Sequence, residues 1–141
     1  MAISNNNTEN IENGLDFQPR FNADGLITAI SQEADTGEIL MVAFMNQQAL
    51  DETIKTGNAV FYSRSRKKLW RKGEQSGHFQ KVLDILVDCD QDCLILKVEV
   101  DQGQCHVGYK SCFYRTLDKN DPKKLRFNAE KVYDPKEAYG K

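Results

Sequence analysis

The sequence predicts an α+β fold with a mostly antiparallel sheet and one or two short helices. Three observations predict it: short β-prone apolar runs recur along the chain, turn signals separate them, and one segment shows helical spacing. The chain has 141 residues, of which 40% are hydrophobic and 28% are charged. Such a composition is typical of a globular protein with one domain, and it excludes collagen-like and fully disordered chains.

Charge and hydropathy exclude two further classes of protein. The formal net charge is −2, which argues against a protein that binds DNA by bulk electrostatic attraction. No stretch of the sequence approaches the ~20 apolar residues that a membrane-spanning helix needs. A basic binding site must therefore be a local cluster, and we expect neither a membrane nor a nucleic-acid partner.

The first predicted element is a β-hairpin. Residues 26–30 and 39–45 are apolar and β-prone, and the turn signal Asp35-Thr36-Gly37 lies between them. Two such runs around a short glycine-containing segment predict an antiparallel pair.

The next predicted element is a helix over residues 47–56. Asn46 can cap its first turn, and Gly57 can end it in the left-handed conformation. Leu50, Thr53 and Ile54 fall at helical spacing, so we expect all three to face the core.

The remaining strands are predicted from further β-prone runs, and the domain boundaries from composition. These strands are residues 59–63, 79–87, 93–100 and 111–115. Residues 1–14 carry five Asn and little apolar content, which predicts a disordered tail before a single domain over residues 15–118. Residues 119–141 form a charged tail with room for one short helix. The N-terminus has no basic or apolar region typical of a signal peptide, so we expect a reducing, cytoplasmic location.

Four cysteines lie close together, at positions 89, 93, 105 and 112. In a reducing compartment this clustering favours metal ligands or catalytic groups over disulfides, and small buried hydrophobic residues are the alternative. Three thiolates with an open fourth position describe a catalytic zinc, whereas four describe a closed structural one. An extended strand would hold Cys93 too far from Cys89 to share a metal, but a turn at residues 90–92 would allow it. Spacing alone leaves both arrangements open.

An acidic cluster and a histidine adjoin these cysteines. Asp88, Asp90 and Asp92 alternate along the chain, and in an extended strand they would share one face. A hard cation would relieve their mutual repulsion, although a solvated acidic turn is the alternative. His106 follows Cys105 directly, and histidine is the side chain best suited to proton transfer near neutral pH.

A basic segment with the single Trp precedes the acidic cluster. Six cations occur within nine residues, namely Arg64, Arg66, Lys67, Lys68, Arg71 and Lys72. Guanidinium groups grip phosphate oxygens and Trp70 offers a flat face to a base, whereas a solvated basic loop anchored by a buried Trp is the alternative. Phosphate-binding residues beside a metal cluster together indicate metal-assisted chemistry on a nucleotide.

Four runs, in order along the chain, resemble one known family. GEILMVAFMNQQAL, FYSRSRKKLWRKGEQSGHFQKV, DCDQD and CHVGYKSCFYR are similar to the phosphoribosyl-AMP cyclohydrolases of histidine biosynthesis, over about residues 25–115. The resemblance implies hydrolytic opening of the adenine ring of 1-(5-phosphoribosyl)-AMP at the N1–C6 bond by zinc-activated water. The product would be phosphoribosyl-formimino-AICAR-phosphate, in the third step of L-histidine biosynthesis. It also implies an intertwined homodimer with one Zn²⁺ and one Mg²⁺ in each subunit.

The resemblance also implies roles for particular residues. The zinc ligands by position are Cys89, Cys105 and Cys112, with Cys89 contributed by the other subunit, and the magnesium ligands are Asp88, Asp90 and Asp92. His106 matches a residue implicated in proton transfer. The expected substrate-binding residues are Ser63, Arg64, Ser65, Arg66, Trp70, Lys72, Gly73, Glu74, Ser76 and Gly77. Cys93 matches no family ligand, and no role is assigned to His78.

A fused two-domain form and two other functions are alternatives to a monofunctional cyclohydrolase. The family also occurs fused to a pyrophosphate-hydrolysing domain, but the residues after Asp118 are too few for one, which predicts the monofunctional form. A zinc-stabilised nucleic-acid-binding module would use residues 64–72, and the acidic cluster and balanced charge count against it. A zinc-dependent nucleoside deaminase would carry H-x-E and P-C-x-x-C motifs, which this sequence lacks.

Overall fold

A four-stranded sheet forms the centre of the computed structural model, which describes residues 10–101 and 103–139. The strand order is β2-β1-β6-β5, built from β1 (Ile27–Glu33), β2 (Ile39–Met45), β5 (Lys81–Val87) and β6 (Cys93–Glu99). The β1–β2 and β5–β6 pairs are antiparallel, and the central β1–β6 pair is parallel. The predicted α+β class with a mostly antiparallel sheet is therefore confirmed.

Within the described part of the chain, two small sheets and two helices surround this centre, in addition to a helical turn at residues 10–13. β3 (Val60–Ser63) pairs with β4 (Lys68–Arg71), and β7 (Arg115–Leu117) pairs with β8 (Leu125–Phe127), both antiparallel. Helix α1 (Gln47–Thr56) connects β2 to β3, and α2 (Pro135–Tyr139) lies near the C-terminus. Among the described residues, no helix is both long enough and apolar enough to cross a membrane.

The first hairpin and α1 follow the sequence predictions. The Asn46 side chain accepts a hydrogen bond from the Ala49 N–H at 2.8 Å, and Gly57 ends the helix at a φ of 75°. The prediction that Ile54 faces the core is wrong, because its side chain is 57% exposed. Leu50 and Thr53 face the core as predicted. The Thr53 Oγ bonds to the backbone of Val60, and the residue after it points about 100° further round the helix.

The chain departs from prediction mainly in its second half. The strand predicted at residues 111–115 is wrong, since β7 begins only at Arg115. The Ser111 Oγ donates to the Ile39 carbonyl at 2.7 Å and the Cys112 N–H donates to the Leu40 carbonyl at 2.7 Å. These bonds hold residues 111–112 against β2 in a loop. The charged tail, in turn, contains both the β8 strand and the α2 helix.

The N-terminal segment also departs from the predicted disordered tail. Residues 10–13 form a helical turn, and the Gln91 side chain donates to the backbone carbonyls of Ile11 and Asp16 at 3.0 and 3.2 Å. Gln91 is 6% exposed, so it ties this segment to the turn after β5. Residues 1–9 of the predicted tail lie outside the described residues.

The hydrophobic core lies between the central sheet and α1. It contains Ile27, Leu40, Met45, Leu50, Phe61, Leu94, Leu96 and Val98. Burial of each such side chain contributes roughly 1.5–3 kcal/mol. Along β1 the buried face changes from apolar at Ile27 and Ala29 to polar at Ser31 and Glu33. The Ser31 hydroxyl donates to the buried Gln80 side chain, and the Glu33 carboxylate pairs with Lys110.

Candidate active site

A cavity of about 440 Å³ lies between the β3–β4 hairpin and a loop of residues 103–112, here called the cysteine loop. The predicted site residues that line it are Arg66, Trp70, Lys72, Gly73, Glu74, Ser76, His106 and Cys112. Met41, Arg71, Gln75 and Gln104 complete its lining. The fold thus brings the basic segment, the imidazole and a thiol to one concave site, although they are far apart in sequence.

The β3–β4 hairpin positions the basic wall of the cavity. Trp70 is half-buried and packs on Phe61 of the core, with ring centroids 5.2 Å apart. The Lys72 N–H donates to the Ala59 carbonyl at 3.0 Å, which continues the pairing past β4. Trp70 therefore anchors the hairpin to the core and also lines the cavity.

Residues 73–78, here called the glycine loop, continue this wall. Gly73 has a φ of 94°, and a Cβ at this position would lie 2.6 Å from the Phe79 nitrogen. Only glycine fits such a close approach in the left-handed region. The Gly77 N–H donates to the Gly73 carbonyl at 2.8 Å, so the loop is closed on itself beside the cavity.

A buried lysine lies beside two thiols at the cavity. Lys72 is only 4% exposed, and this burial lowers the pKa of its ammonium, while the Cys112 and Cys105 thiols oppose the shift. Cys112 is exposed as a residue, but protein atoms surround its thiol. Burial, and then the neighbouring Cys105, raise the pKa of Cys112 to about 12. Metal ions displace protons from such thiols, and soft thiolate donors suit zinc.

Short backbone bonds and one lysine shape the cysteine loop. The Cys105 N–H donates to the Tyr109 carbonyl, and the Gly108 N–H returns to the Cys105 carbonyl, both at 3.0 Å. The Lys110 ammonium lies 2.6 Å from a Glu33 oxygen and 3.1 Å from a Glu38 oxygen. These contacts dock the loop on the first hairpin.

A buried amide network supports the cavity wall from the core. Gln80 accepts from the Ser31 hydroxyl at 2.6 Å and donates to the Gln104 side chain at 2.9 Å and to the Met41 Sδ at 3.3 Å. Gln80 and Gln104 are at most 2% exposed. Sequence reasoning missed both residues, and proximity to Cys105 was the one signal that could have indicated Gln104.

The three acidic side chains meet in a turn of residues 88–92, here called the acidic turn. Ligand atoms of Asp88, Asp90 and Asp92 all lie within 4.8 Å of one another. Of the two arrangements that the sequence left open, the chain adopts the turn, because the backbone reverses at Gln91, which has a φ of 58°. The Asp88 carboxylate accepts the Asp92 and Cys93 N–H groups at 3.0 and 3.1 Å, which stabilises the reversal.

The acidic turn has the charge and donors of a site for a hard cation. The Asp90 carboxyl, together with Asp88, raises the pKa of Asp92 to about 6. At Asp88, burial acts to raise the pKa of the carboxyl, but hydrogen bonds with Asp90 and Asp92 hold that pKa below its usual value. A divalent cation would replace the shared proton, and carboxylate oxygens are the donors that Mg²⁺ prefers.

The third predicted thiol lies apart from the other two. Cys89 is exposed in the acidic turn, and within residues 10–101 and 103–139 it does not join Cys105 and Cys112 in a group of ligating distance. Cys93 is half-buried at the start of β6. One chain therefore brings together two of the three predicted zinc ligands.

Four predicted substrate-binding residues do not line this cavity. Ser63, Arg64 and Ser65 lie at the end of β3 and in the turn that follows, where the Arg64 guanidinium lies 4.2 Å from the centroid of the Phe44 ring. Gly77 lines a separate depression beside Phe79. Arg71, conversely, lines the cavity but was not among the predicted site residues.

Comparison with known proteins identifies relatives over most of the chain. The family model described as phosphoribosyl-AMP cyclohydrolase matches residues 41–114, which include every residue of the cavity lining. A phosphoribosyl-AMP cyclohydrolase of Methanothermobacter thermautotrophicus is 55% identical over 126 residues, which cover 89% of this chain and 91% of the relative. One of Rhodopseudomonas palustris is 52% identical, covering 94% and 91%. One of Nitrobacter winogradskyi is 51% identical, covering 91% and 90%.

Proposed function

The chain belongs to the phosphoribosyl-AMP cyclohydrolase family and is a hydrolase, and we propose that it opens the adenine ring of 1-(5-phosphoribosyl)-AMP by hydrolysis of the N1–C6 bond. One observation carries the proposal: a single cavity unites cations, an aromatic ring, an imidazole and a thiol. Its volume, about 440 Å³, lies in the range of small-molecule sites. A nucleotide with two phosphates requires this combination of cations and a flat apolar face.

The basic wall accounts for substrate binding. Arg66 and Arg71 line the cavity, and guanidinium groups can bind phosphate oxygens in a bidentate manner. Lys72 adds a point charge in a setting from which water is largely excluded, which strengthens its attraction to an anion. Trp70 lines the same cavity, where its ring can stack on the purine.

The thiols and the imidazole account for the chemistry. Cys105 and Cys112 would hold a zinc ion together with Cys89 from a second subunit, and zinc, when bound, supplies the Lewis acidity that makes water nucleophilic at neutral pH. His106 lies at the cavity wall next to Cys105. This imidazole can accept a proton from the attacking water or donate one to the ring nitrogen released when the bond breaks.

Asp88, Asp90 and Asp92 would hold magnesium.

A homodimer would complete the zinc site. β5 lies at an edge of the central sheet and exposes Leu83, Leu86 and Val87, each at 40% or more. Edge strands with exposed apolar side chains favour association. Cys89 follows this strand by two residues, so a second copy covering β5 would approach Cys89 as well.

The test is a spectrophotometric assay of ring opening, with zinc content measured on the same samples. We expect about one zinc per chain, turnover that a zinc chelator abolishes, and a loss of more than about 100-fold in Cys112→Ala, because loss of a ligand exceeds the 10–100-fold typical of its hydrogen-bonded neighbours. Cys93→Ala is the matched control and should retain activity. Full activity in Cys112→Ala would contradict the proposal. Salt-dependent binding to single-stranded DNA without turnover would instead favour the nucleic-acid-binding module.

A further inference from the structure

The C-terminal segment of residues 131–135 packs tightly on the cysteine loop. The N–H groups of Val132 and Tyr133 approach the Gly108 carbonyl at 2.8 and 3.3 Å. A Cβ at Gly108 would lie 2.7 Å from the Tyr133 carbonyl oxygen, and one at Gly103 would lie 2.7 Å from the Tyr133 ring. Both positions require glycine for the segment to lie so close, so the loop is shaped to receive it.

Tyr133 contacts both loops that wall the cavity. Its hydroxyl donates a hydrogen bond to the Cys105 carbonyl. Its ring meets His78 edge-on, with centroids 4.5 Å apart and an interplanar angle of 82°. His78 is 4% exposed, and its backbone N–H donates to the Ser76 hydroxyl at 3.2 Å. One side chain therefore joins the cysteine loop to the glycine loop.

We propose that Tyr133 is a positioning residue for the metal site and for the glycine loop. The inference rests on the proposed function, since it takes Cys105 as a zinc ligand. The hydroxyl fixes the Cys105 main chain and thereby the direction from which its thiol meets the metal. Hydrogen-bonded partners of metal ligands typically change metal affinity or activity by 10–100-fold when they are removed. The ring, through His78, fixes the position of the loop that presents Ser76.

Two substitutions separate these roles. Tyr133→Phe removes the hydroxyl and keeps the ring, so we expect zinc affinity to fall about tenfold with KM near the wild-type value. Tyr133→Ala also removes the ring, so KM should rise in addition. Zinc affinity is measured by competition with a chromophoric chelator, and the ligand geometry by the absorption spectrum of the Co²⁺-substituted protein, which should change in Tyr133→Phe. Tyr62→Phe, a change on β3 away from the cysteine loop, should leave all these readouts unchanged.

Gly103→Ala provides an independent variant that keeps the Tyr133 side chain itself unaltered. Its methyl group would displace the Tyr133 ring from the loop, so we expect the same weakening of zinc binding. Wild-type zinc affinity and an unchanged Co²⁺ spectrum in both Tyr133→Phe and Gly103→Ala would overturn the role of Tyr133. A wild-type chain that binds no zinc would overturn the proposed function and this inference together, so the two failures are distinguishable.

Discussion

Glu33 shows how a single residue supports the active-site cavity from outside it. Its carboxylate accepts hydrogen bonds from Lys110 of the cysteine loop at 2.6 Å and from the Thr36 hydroxyl at 2.7 Å. The bond from Lys110 is the main cause that holds the pKa of Glu33 below its usual value of 4.5, although burial opposes it. Glu33 thus links the end of β1 to the loop that carries Cys105 and Cys112.

This shift predicts a defined dependence of stability on pH. A carboxyl whose pKa is lower in the folded state contributes stability above the unfolded value, here 4.5, and loses it as the pH falls through the folded value. Glu33→Gln should therefore cost about 0.5–1 kcal/mol at pH 7, because Lys110 is partly exposed and water screens the pair. The cost should shrink as the pH falls below that value.

Urea unfolding at pH 7 and at pH 3.5 measures both effects. Glu38→Gln is the matched control, because it leaves the shorter Lys110–Glu33 contact intact and should have the smaller effect. An equal cost of Glu33→Gln at both pH values would show that the ion pair does not stabilise the fold.

Among the elements, α1 depends most on local sequence. Asn46→Ala removes the acceptor for the Ala49 N–H and should lower the free energy of unfolding by about 1 kcal/mol. Ring-opening activity of the folded protein should stay unchanged, since the helix does not line the cavity. Gln47→Ala, next to the cap on the exposed surface, should have little effect on stability. Urea unfolding monitored by circular dichroism tests this, and equal stabilities of Asn46→Ala and Gln47→Ala would refute a capping role.

The same distinction between local and distant contacts explains which elements the sequence predicts. The β1–β2 hairpin and α1 are set by a turn signal and by caps within a few residues, so local patterns predict them correctly. The docking of the N-terminal segment depends on hydrogen bonds from the Gln91 side chain to Ile11 and Asp16, more than 70 residues away. The cysteine loop likewise depends on Glu33 and on the backbone of β2. No local pattern reports such contacts.

The candidate site was predictable in its chemistry but not in its assembly. Charge and residue type indicated the basic segment, the thiols, the carboxylates and His106. Gln104 and Tyr133 are common residues without a motif of their own, and they gain importance only through contacts that the fold creates, with Gln80 and with Cys105. Arg71 belonged to the predicted basic segment, but only the fold shows that this residue, at the end of β4, lines the cavity.

At the scale of the whole molecule, Cys89 lies apart from the other two predicted zinc ligands, Cys105 and Cys112. The cavity wall holds Cys112 with Cys105 beside it, whereas Cys89 lies in the acidic turn after the exposed edge strand β5. Under the proposed function, a zinc site with all three thiols would take its third ligand from a second copy of the chain. In a symmetric dimer, each site would take Cys89 from one subunit and the remaining two ligands from the other.

Mixed dimers test this arrangement directly. Cys89→Ala and Cys112→Ala should each be inactive alone, but a mixed dimer of the two would contain one site with all three thiols. Random pairing makes half of the dimers mixed, each with one intact site of two, so co-expression should restore about a quarter of wild-type activity and zinc content. Cys105→Ala paired with Cys112→Ala is the control, because both losses fall in the same half of the site and every site stays damaged. Mixed dimers of Cys89→Ala and Cys112→Ala that remain inactive would show that the zinc site is not shared between subunits.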